Sequence, residues 1–252
     1  MSSLHFPDLN LKTALSALAD FVMPRPCIVC GTELGMDERH ICRECFSDMP
    51  LARFAGMKRN PMSDRFNAGM NIDEYEPYAY AAALFYYAKD NGYSHITQAL
   101  KYHRNFSAGR AFSSMLASEL SLSPLFSDVD AVVPVPLHWI RQWKRGYNQA
   151  AVIAGAVSSE LKCPCYPDML RRIHNTTSQT RLDMQSKESN VRHAFAVSKS
   201  YLKRSPALHH ILLVDDVFTS GATMRACYSA LRGLYPAEVR ISVATLGFVE
   251  KG

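Results

Sequence analysis

Two carboxylates stand side by side in the run Ile211-Leu-Leu-Val-Asp215-Asp216-Val-Phe-Thr219-Ser220-Gly221-Ala222-Thr223-Met224. Aliphatic residues precede them, and a turn of small and hydroxylated side chains follows. That turn suits a phosphate. Small side chains let the backbone approach an anion, and Gly221 can adopt a positive φ. The hydroxyls of Thr219, Ser220 and Thr223 add donors. A helix starting behind the turn would present its first backbone N–H groups to the same anion. The carboxylates cannot bind that phosphate. They suit hydroxyl groups on the same ligand, such as a ribose diol, or a water linked to Mg²⁺. A helix merely capped by an aspartate would need one carboxylate and not this series.

A second constellation lies near the N-terminus. Cys27 and Cys30 form one Cys-x-x-Cys pair, and Cys42 and Cys45 form another. Two such pairs can close a tetrahedral thiolate site around Zn²⁺. Four thiolates leave no open coordination position, so the metal would be structural and not catalytic. A segment of about twenty residues buries too little surface to fold alone, and the ion would supply the missing energy. Gly31 follows the first pair and suits the turn of a metal knuckle. His40 reads as a neighbour of the site and not as a ligand. Redox dithiols are the competing reading.

These residues need elements to hold them. Residues 211–214 read as a short buried strand of a parallel sheet. Met224, Cys227, Tyr228, Leu231 and Leu234 recur at three- and four-residue steps, so a helix is predicted over 224–234. Residues 130–137 predict another buried strand that runs into a stiff, proline-bearing loop. That loop carries His138, Arg141, Lys144, Arg145, Gly146, Tyr147 and Asn148, and a helix begins near Gln149. Cations and backbone donors again lie over a strand end, a natural seat for a diphosphate. Further strands are predicted over 79–87, from 194 and over 239–246, with helices through 96–104 and over 109–120. Leu11, Leu15, Leu18 and Val22 predict a short amphipathic helix that packs on its own protein. Residues 171–195 are polar and basic, and a loop of that length in a compact domain reads either as a functional lid, the favoured reading, or as a disordered segment.

At 252 residues the chain accommodates one ordinary domain with a small appendage. The expected division is a helix and four-cysteine module over 1–50, a polar linker over 51–75 and the main domain over 76–252. No apolar run reaches the roughly eighteen residues that a membrane span needs. The N-terminus does not read as a secretory signal. With the metal-type use of cysteine, this predicts a cytoplasmic protein. The net charge of +5 is mild, compatible with anionic ligands or weak nucleic-acid attraction, and it demonstrates neither.

The segment from Ile211 to Thr223 closely resembles the 5-phosphoribosyl-1-diphosphate (PRPP) signature of type I phosphoribosyltransferases. The wider series resembles the ComF family of phosphoribosyltransferase-like proteins, which are associated with DNA uptake in natural competence. That series is the four-cysteine module, Leu100-Lys101-Tyr102, Pro134-Val135-Pro136, Arg145-Gly146-Tyr147-Asn148-Gln149, Thr177-Ser178-Gln179-Thr180, Asn190 with Ala194-Phe195, and the PRPP signature. One departure is Lys187, which stands where family members usually carry a lid arginine. Lysine keeps the charge but loses the bidentate fork.

The resemblance implies a mixed α/β fold of the type I phosphoribosyltransferase kind, with a parallel central sheet and a small zinc ribbon. It implies that Asp215 and Asp216 are the catalytic pair on the ribose hydroxyls, and that Thr219, Ser220, Gly221, Ala222 and Thr223 hold the 5′-phosphate. It implies further substrate contacts at Val135, Arg145, Gly146, Tyr147, Asn148 and Gln179, with Mg²⁺ accompanying PRPP. The activity implied is transfer of ribose 5-phosphate to a nitrogen acceptor with release of diphosphate. The alternative is a non-catalytic accessory of DNA uptake that binds PRPP or single-stranded DNA, or docks a protein of the uptake machinery.

Overall fold

The computed structural model describes residues 25–68, 70, 77–102, 106–137, 143, 146–173 and 194–250. The chain divides after Met49 into two units. The smaller carries both cysteine pairs and α1 (Arg43–Ser47). The larger runs α2 (Pro61–Ala68), β1 (Ala81–Tyr86), α3 (Ser94–Tyr102), α4 (Phe106–Ser121), β2 (Ala131–Pro134) and α5 (Gln149–Leu161). It continues with β3 (Leu170–Arg172), β4 (Phe195–Val197), α6 (Lys199–Lys203), β5 (His210–Phe218), α7 (Ala222–Arg232) and β6 (Arg240–Phe248).

Four of the strands form one parallel sheet in the order β1-β6-β5-β2. Their sequences are nearly unbroken apolar runs, because a parallel sheet is covered on both faces. The period of two sorts the side chains. Ala81, Ala83, Val133, Ile211, Leu213, Ile241 and Val243 share a cluster with Phe66 of α2 and with Met224, Cys227, Tyr228 and Leu231 of α7. Their alternates Val132, Leu212 and Val214 are buried as well. On that side α4 and α5 pack together, and α5 lies along β2 and β5. Outside the sheet, β3 and β4 pair as an antiparallel ribbon next to α7. This is the α/β architecture with a parallel central sheet that the sequence predicts.

The expected linker over 51–75 is a correction. Among the described residues of that span, Ala52, Phe54, Met62 and Phe66 are core residues of the larger unit, and residues 61–68 form α2. The polar composition has a structural reason. Asn60 Nδ2 donates to the Ala81 carbonyl at 2.9 Å, and Asn67 Nδ2 donates to the Ala79 carbonyl at 2.9 Å. Asn67 Oδ1 accepts from the Ala79 N–H at 3.1 Å. These asparagines satisfy backbone groups along the outer strand β1, which would otherwise be buried unpaired. Asn60 also caps α2, accepting from the Ser63 N–H at 2.9 Å while Ser63 Oγ accepts from the Asn60 N–H at 2.8 Å. Pro61 then occupies the first helical position, where a missing N–H costs nothing. The amphipathic segment at residues 11–22 lies outside the described residues.

The opposite end of β5 holds a buried histidine. His210 is 0% exposed, with Nδ1 2.6 Å from Asp128 Oδ1 and Nε2 2.7 Å from Ser242 Oγ. Burial lowers its pKa below the ordinary 6.5, against the opposing pull of Asp128. Burial prevails because the Asp128 side chain is 67% exposed and its charge is screened by water. The folded state therefore favours neutral His210, while the unfolded chain takes up a proton as pH falls through about 6.5. Stability is whole above that value and declines below it. A thermal melt series from about pH 7.5 to about pH 5.5 should show the melting temperature falling. A His210→Gln variant should melt lower throughout but with a flatter pH slope. An equal slope in both proteins would remove His210 as the cause.

Candidate functional site

β2 ends opposite Val214, where the Val135 N–H donates to the Val214 carbonyl at 2.8 Å. β5 does not end there. It continues against β6, pairing Asp215 with Thr245, Val217 with Gly247 and Phe218 with Phe248. Asp215 and Asp216 thus lie inside β5 and not beyond it, at the place where β2 has turned away. Strand alternation sends Asp215 toward the α7 face and Asp216 toward the α5 face. The helices that follow β2 and β5 occupy opposite faces, and such a divergence opens the crevice where ligands bind in open α/β sheets. Both carboxylates are half-buried. Asp215 Oδ1 accepts from the Asp216 N–H at 2.8 Å. Beneath them the Cys227 thiol is held protonated, first by burial and then by the charge of Asp215.

The turn after β5 has the conformation its composition allows. Gly221 has φ +78° and precedes α7 without a side-chain cap. A Cβ there would stand 2.6 Å from Phe218 Cζ and 2.9 Å from Arg225 Nη1, so space and dihedral both require glycine. The first bond of the helix runs from the Arg225 N–H to the Gly221 carbonyl at 2.9 Å. The N–H groups of Ala222, Thr223 and Met224 come before that bond. Ala222 makes a long 3.4 Å contact with Ser220 Oγ. The positive end of the helix dipole adds to the attraction for an anion.

The described end of the β2–α5 connection, residues 146–148, is held by its neighbours. Gly146 has φ +82°. Tyr147 donates its hydroxyl to the Leu100 carbonyl, and its ring meets Phe106 edge-on at 4.6 Å. Asn148 caps α5 through the Ala150 N–H at 3.1 Å and donates to the Val135 carbonyl at 3.0 Å. Val135 therefore spends both backbone groups on structure, and Tyr147 and Asn148 anchor the residues just before α5. Of the expected lid over 171–195, the two ends are strand and not loop, with Arg171 and Arg172 in β3 and Phe195 in β4, while residues 174–193, with Gln179 and Lys187, and also Arg145, lie outside the described residues.

Two residues that sequence reasoning does not find hold the turn from behind. Arg65 of α2 donates to the Thr219 carbonyl at 3.1 Å, and Arg225 of α7 donates to the Ser220 carbonyl at 2.9 Å. Arg65 stands 154 residues before Thr219, beyond the reach of any local pattern.

In the smaller unit the four cysteine sulfurs lie within 4.8 Å of one another. A tetrahedral Zn²⁺ with bonds of about 2.3 Å sets its sulfurs about 3.8 Å apart. Cys30 Sγ and Cys42 Sγ are separated by 3.8 Å. The first knuckle closes through the Gly31 N–H on the Cys27 carbonyl at 2.9 Å, with Gly31 at φ +77°. In the second, Cys42 caps α1 and accepts from the Cys45 N–H. The Thr32 hydroxyl beside Cys30 Sγ draws that thiol down to about 6, whereas burial raises the Cys45 thiol, so without a cation the four sulfurs do not all favour the thiolate. His40 is outside the sulfur group and uses its carbonyl to accept from the Ile28 N–H. The cluster fits a closed structural zinc site.

Residues 148–247 match the family of the phosphoribosyl transferase domain. That span includes α5, β5, the glycine turn, α7 and most of β6. Competence protein F of Haemophilus influenzae is 34% identical over 112 residues, which are 44% of this chain and 48% of that protein. The aligned part is thus about half the length of that relative. DNA utilization protein YhgH of Escherichia coli (strain K12) is 25% identical over 209 residues, 80% of this chain and 88% of that protein. The matched span coincides with the strand, turn and helix that carry the acidic pair: over residues 148–247 the chain is similar to the phosphoribosyl transferase domain family, and over the aligned spans it is similar to Competence protein F and DNA utilization protein YhgH.

Proposed function

We propose that the crevice above β5 binds PRPP and that the protein transfers its ribose 5-phosphate group to a nitrogen acceptor. The observation that carries this reading is the continuity of acid pair, left-handed glycine turn and helix start in one strand–turn–helix unit. The 5′-phosphate would accept from the N–H groups of residues 219–223 and the hydroxyls of Thr219, Ser220 and Thr223. The ribose hydroxyls would donate to Asp215 and Asp216. These contacts fix the sugar so that its anomeric carbon faces the open side of the crevice. There the bond from that carbon to the diphosphate oxygen breaks and a carbon–nitrogen bond forms, the nitrogen losing a proton. Mg²⁺, when bound, would neutralise charge on the departing diphosphate. Gly146 and Arg145 sit in the loop assigned to that group, with Val135, Tyr147 and Asn148 holding the loop in position. Gln179 would contribute from the lid.

The relatives' names favour a second reading. A protein that serves DNA uptake or utilisation need not turn PRPP over, and the same crevice could act as a sensor of PRPP while basic segments meet single-stranded DNA. Binding of single-stranded DNA would then weaken steeply as salt is raised, because phosphate contacts release counterions. No binding at low salt would dismiss DNA contact. We place the protein in the cytoplasm, where PRPP and reduced cysteines occur together.

Asp215→Asn and Asp216→Asn should each weaken PRPP binding by about ten- to a hundredfold, the loss of a hydrogen bond to a charged acceptor. Calorimetric titration with PRPP, with and without Mg²⁺, measures this, and the variants should melt as the wild type does. Unchanged affinity in both would refute the assignment of the acidic pair. Diphosphate release with a nucleobase or amine acceptor would distinguish enzyme from sensor. For the cysteine module, the purified protein should hold one zinc ion by elemental analysis. Cys27→Ser and Cys42→Ser should each lose it and turn poorly soluble, since the metal supplies the folding energy of that unit.

A further inference from the structure

The turn that follows β5 is not shaped by its own sequence alone. Arg65 Nη1 donates to the Thr219 carbonyl at 3.1 Å and to the Val249 carbonyl at 2.6 Å. Its guanidinium lies over the Phe248 ring, 4.8 Å from the centroid, which fixes its plane. Arg225 Nη1 donates to the Ser220 carbonyl at 2.9 Å and reaches back to the Arg65 carbonyl at 3.4 Å. Two consecutive peptide carbonyls, those of Thr219 and Ser220, are therefore each drawn to a cation. In a trans peptide the C=O and N–H point to opposite sides. Drawing the carbonyl of Thr219 toward Arg65 turns the N–H of Ser220 away from it, and the same argument turns the N–H of Gly221 away from Arg225. The donors that result face the side opposite the guanidinium groups. These bonds are charge-assisted, and so stronger and more directional than bonds between neutral groups.

We propose that Arg65 is a positioning residue of the phosphate turn, and that α2 acts through it to set how tightly the turn grips an anion. This rests on the reading of residues 219–223 as the seat of the 5′-phosphate. Arg65 touches no part of the ligand in this account. It aims the backbone donors that do, and it brings a fixed positive charge behind them. Two features make Arg65 the stronger of the two arginines in this role. It ties the turn to the backbone after β6, so it spans both sides of the Phe248 strand end. It also comes from a different helix, whereas Arg225 lies on α7 and would move with the turn. Lysine could not replace it fully, because an ammonium lacks the flat surface that stacks on Phe248 and has no rigid fork.

The test compares wild type, Arg65→Met and Arg65→Lys in two measurements. Amide ¹⁵N relaxation of the free protein, read residue by residue, should show lower order parameters at residues 220–223 in Arg65→Met, with the sheet amides as rigid as in wild type. Calorimetry should show affinity for PRPP and for ribose 5-phosphate reduced roughly tenfold in Arg65→Met and partly recovered in Arg65→Lys. Wild-type affinity in Arg65→Met, or unchanged order parameters in the turn, would overturn the proposal. If wild type itself binds neither ligand, the reading of the site fails, and the relaxation measurement still decides whether Arg65 orders the turn. A uniform loss of order across the sheet would also count against the proposal, since it would make Arg65 a general stabiliser of the domain.

Discussion

The ladder between β5 and β6 continues where the ladder between β5 and β2 stops, and the site depends on that inequality. Pro134 is the last residue of β2 to pair with β5, at Val214, while β5 goes on through Phe218 against β6. The acidic pair falls in this one-sided stretch. Backbone pairing with β6 holds Asp215 in a strand, while β2 has no residue paired with β5 beyond Val214. A strand that stopped at Val214 would place the carboxylates on a loop, where their spacing from the glycine turn would vary. The helices that diverge to opposite faces then define the walls.

Much of this was legible in the sequence because the relevant signals are local. The apolar step pattern of Met224, Cys227, Tyr228 and Leu231 gives the helix, and those residues are buried as the pattern requires. Gly221 was legible because few residues adopt a positive φ in a turn built for an anion. The end of β5 was less legible. Carboxylates are depleted from strands, so the sequence reads as a strand over 211–214 with Asp215 and Asp216 following its C-terminal end. Tertiary pairing with Thr245 and its neighbours overrides that preference. The segment from Ala52 to Phe66 was misread for a related reason. Asn60 and Asn67 look like loop residues until β1 is placed beside them and their amides meet its backbone. The same blindness hid Arg65, whose partners lie far along the chain.

The roles along β5 are separated by direction. Its first residue, His210, is buried and bonded to Asp128 and Ser242, at the end of the sheet away from the crevice. Its far end carries the half-buried carboxylates. The buried histidine and the candidate acidic pair therefore occupy opposite ends of one strand. The cysteine unit has its own small cluster of Cys27, Leu34 and Cys42, with sulfurs spaced for an ion. A bound metal would supply there, through coordination bonds, what apolar burial supplies in the larger unit.

The central claim is that the backbone donors of residues 219–223 hold a ribosyl 5′-phosphate. Amide chemical shifts of a ¹⁵N-labelled protein during titration with PRPP and Mg²⁺ test it most directly. The account predicts saturable shifts of the Ser220, Gly221, Ala222 and Thr223 amides, with smaller changes at Asp215 and Asp216 and none around His210. Saturable binding that leaves the 220–223 amides unmoved would place the phosphate elsewhere and contradict the account.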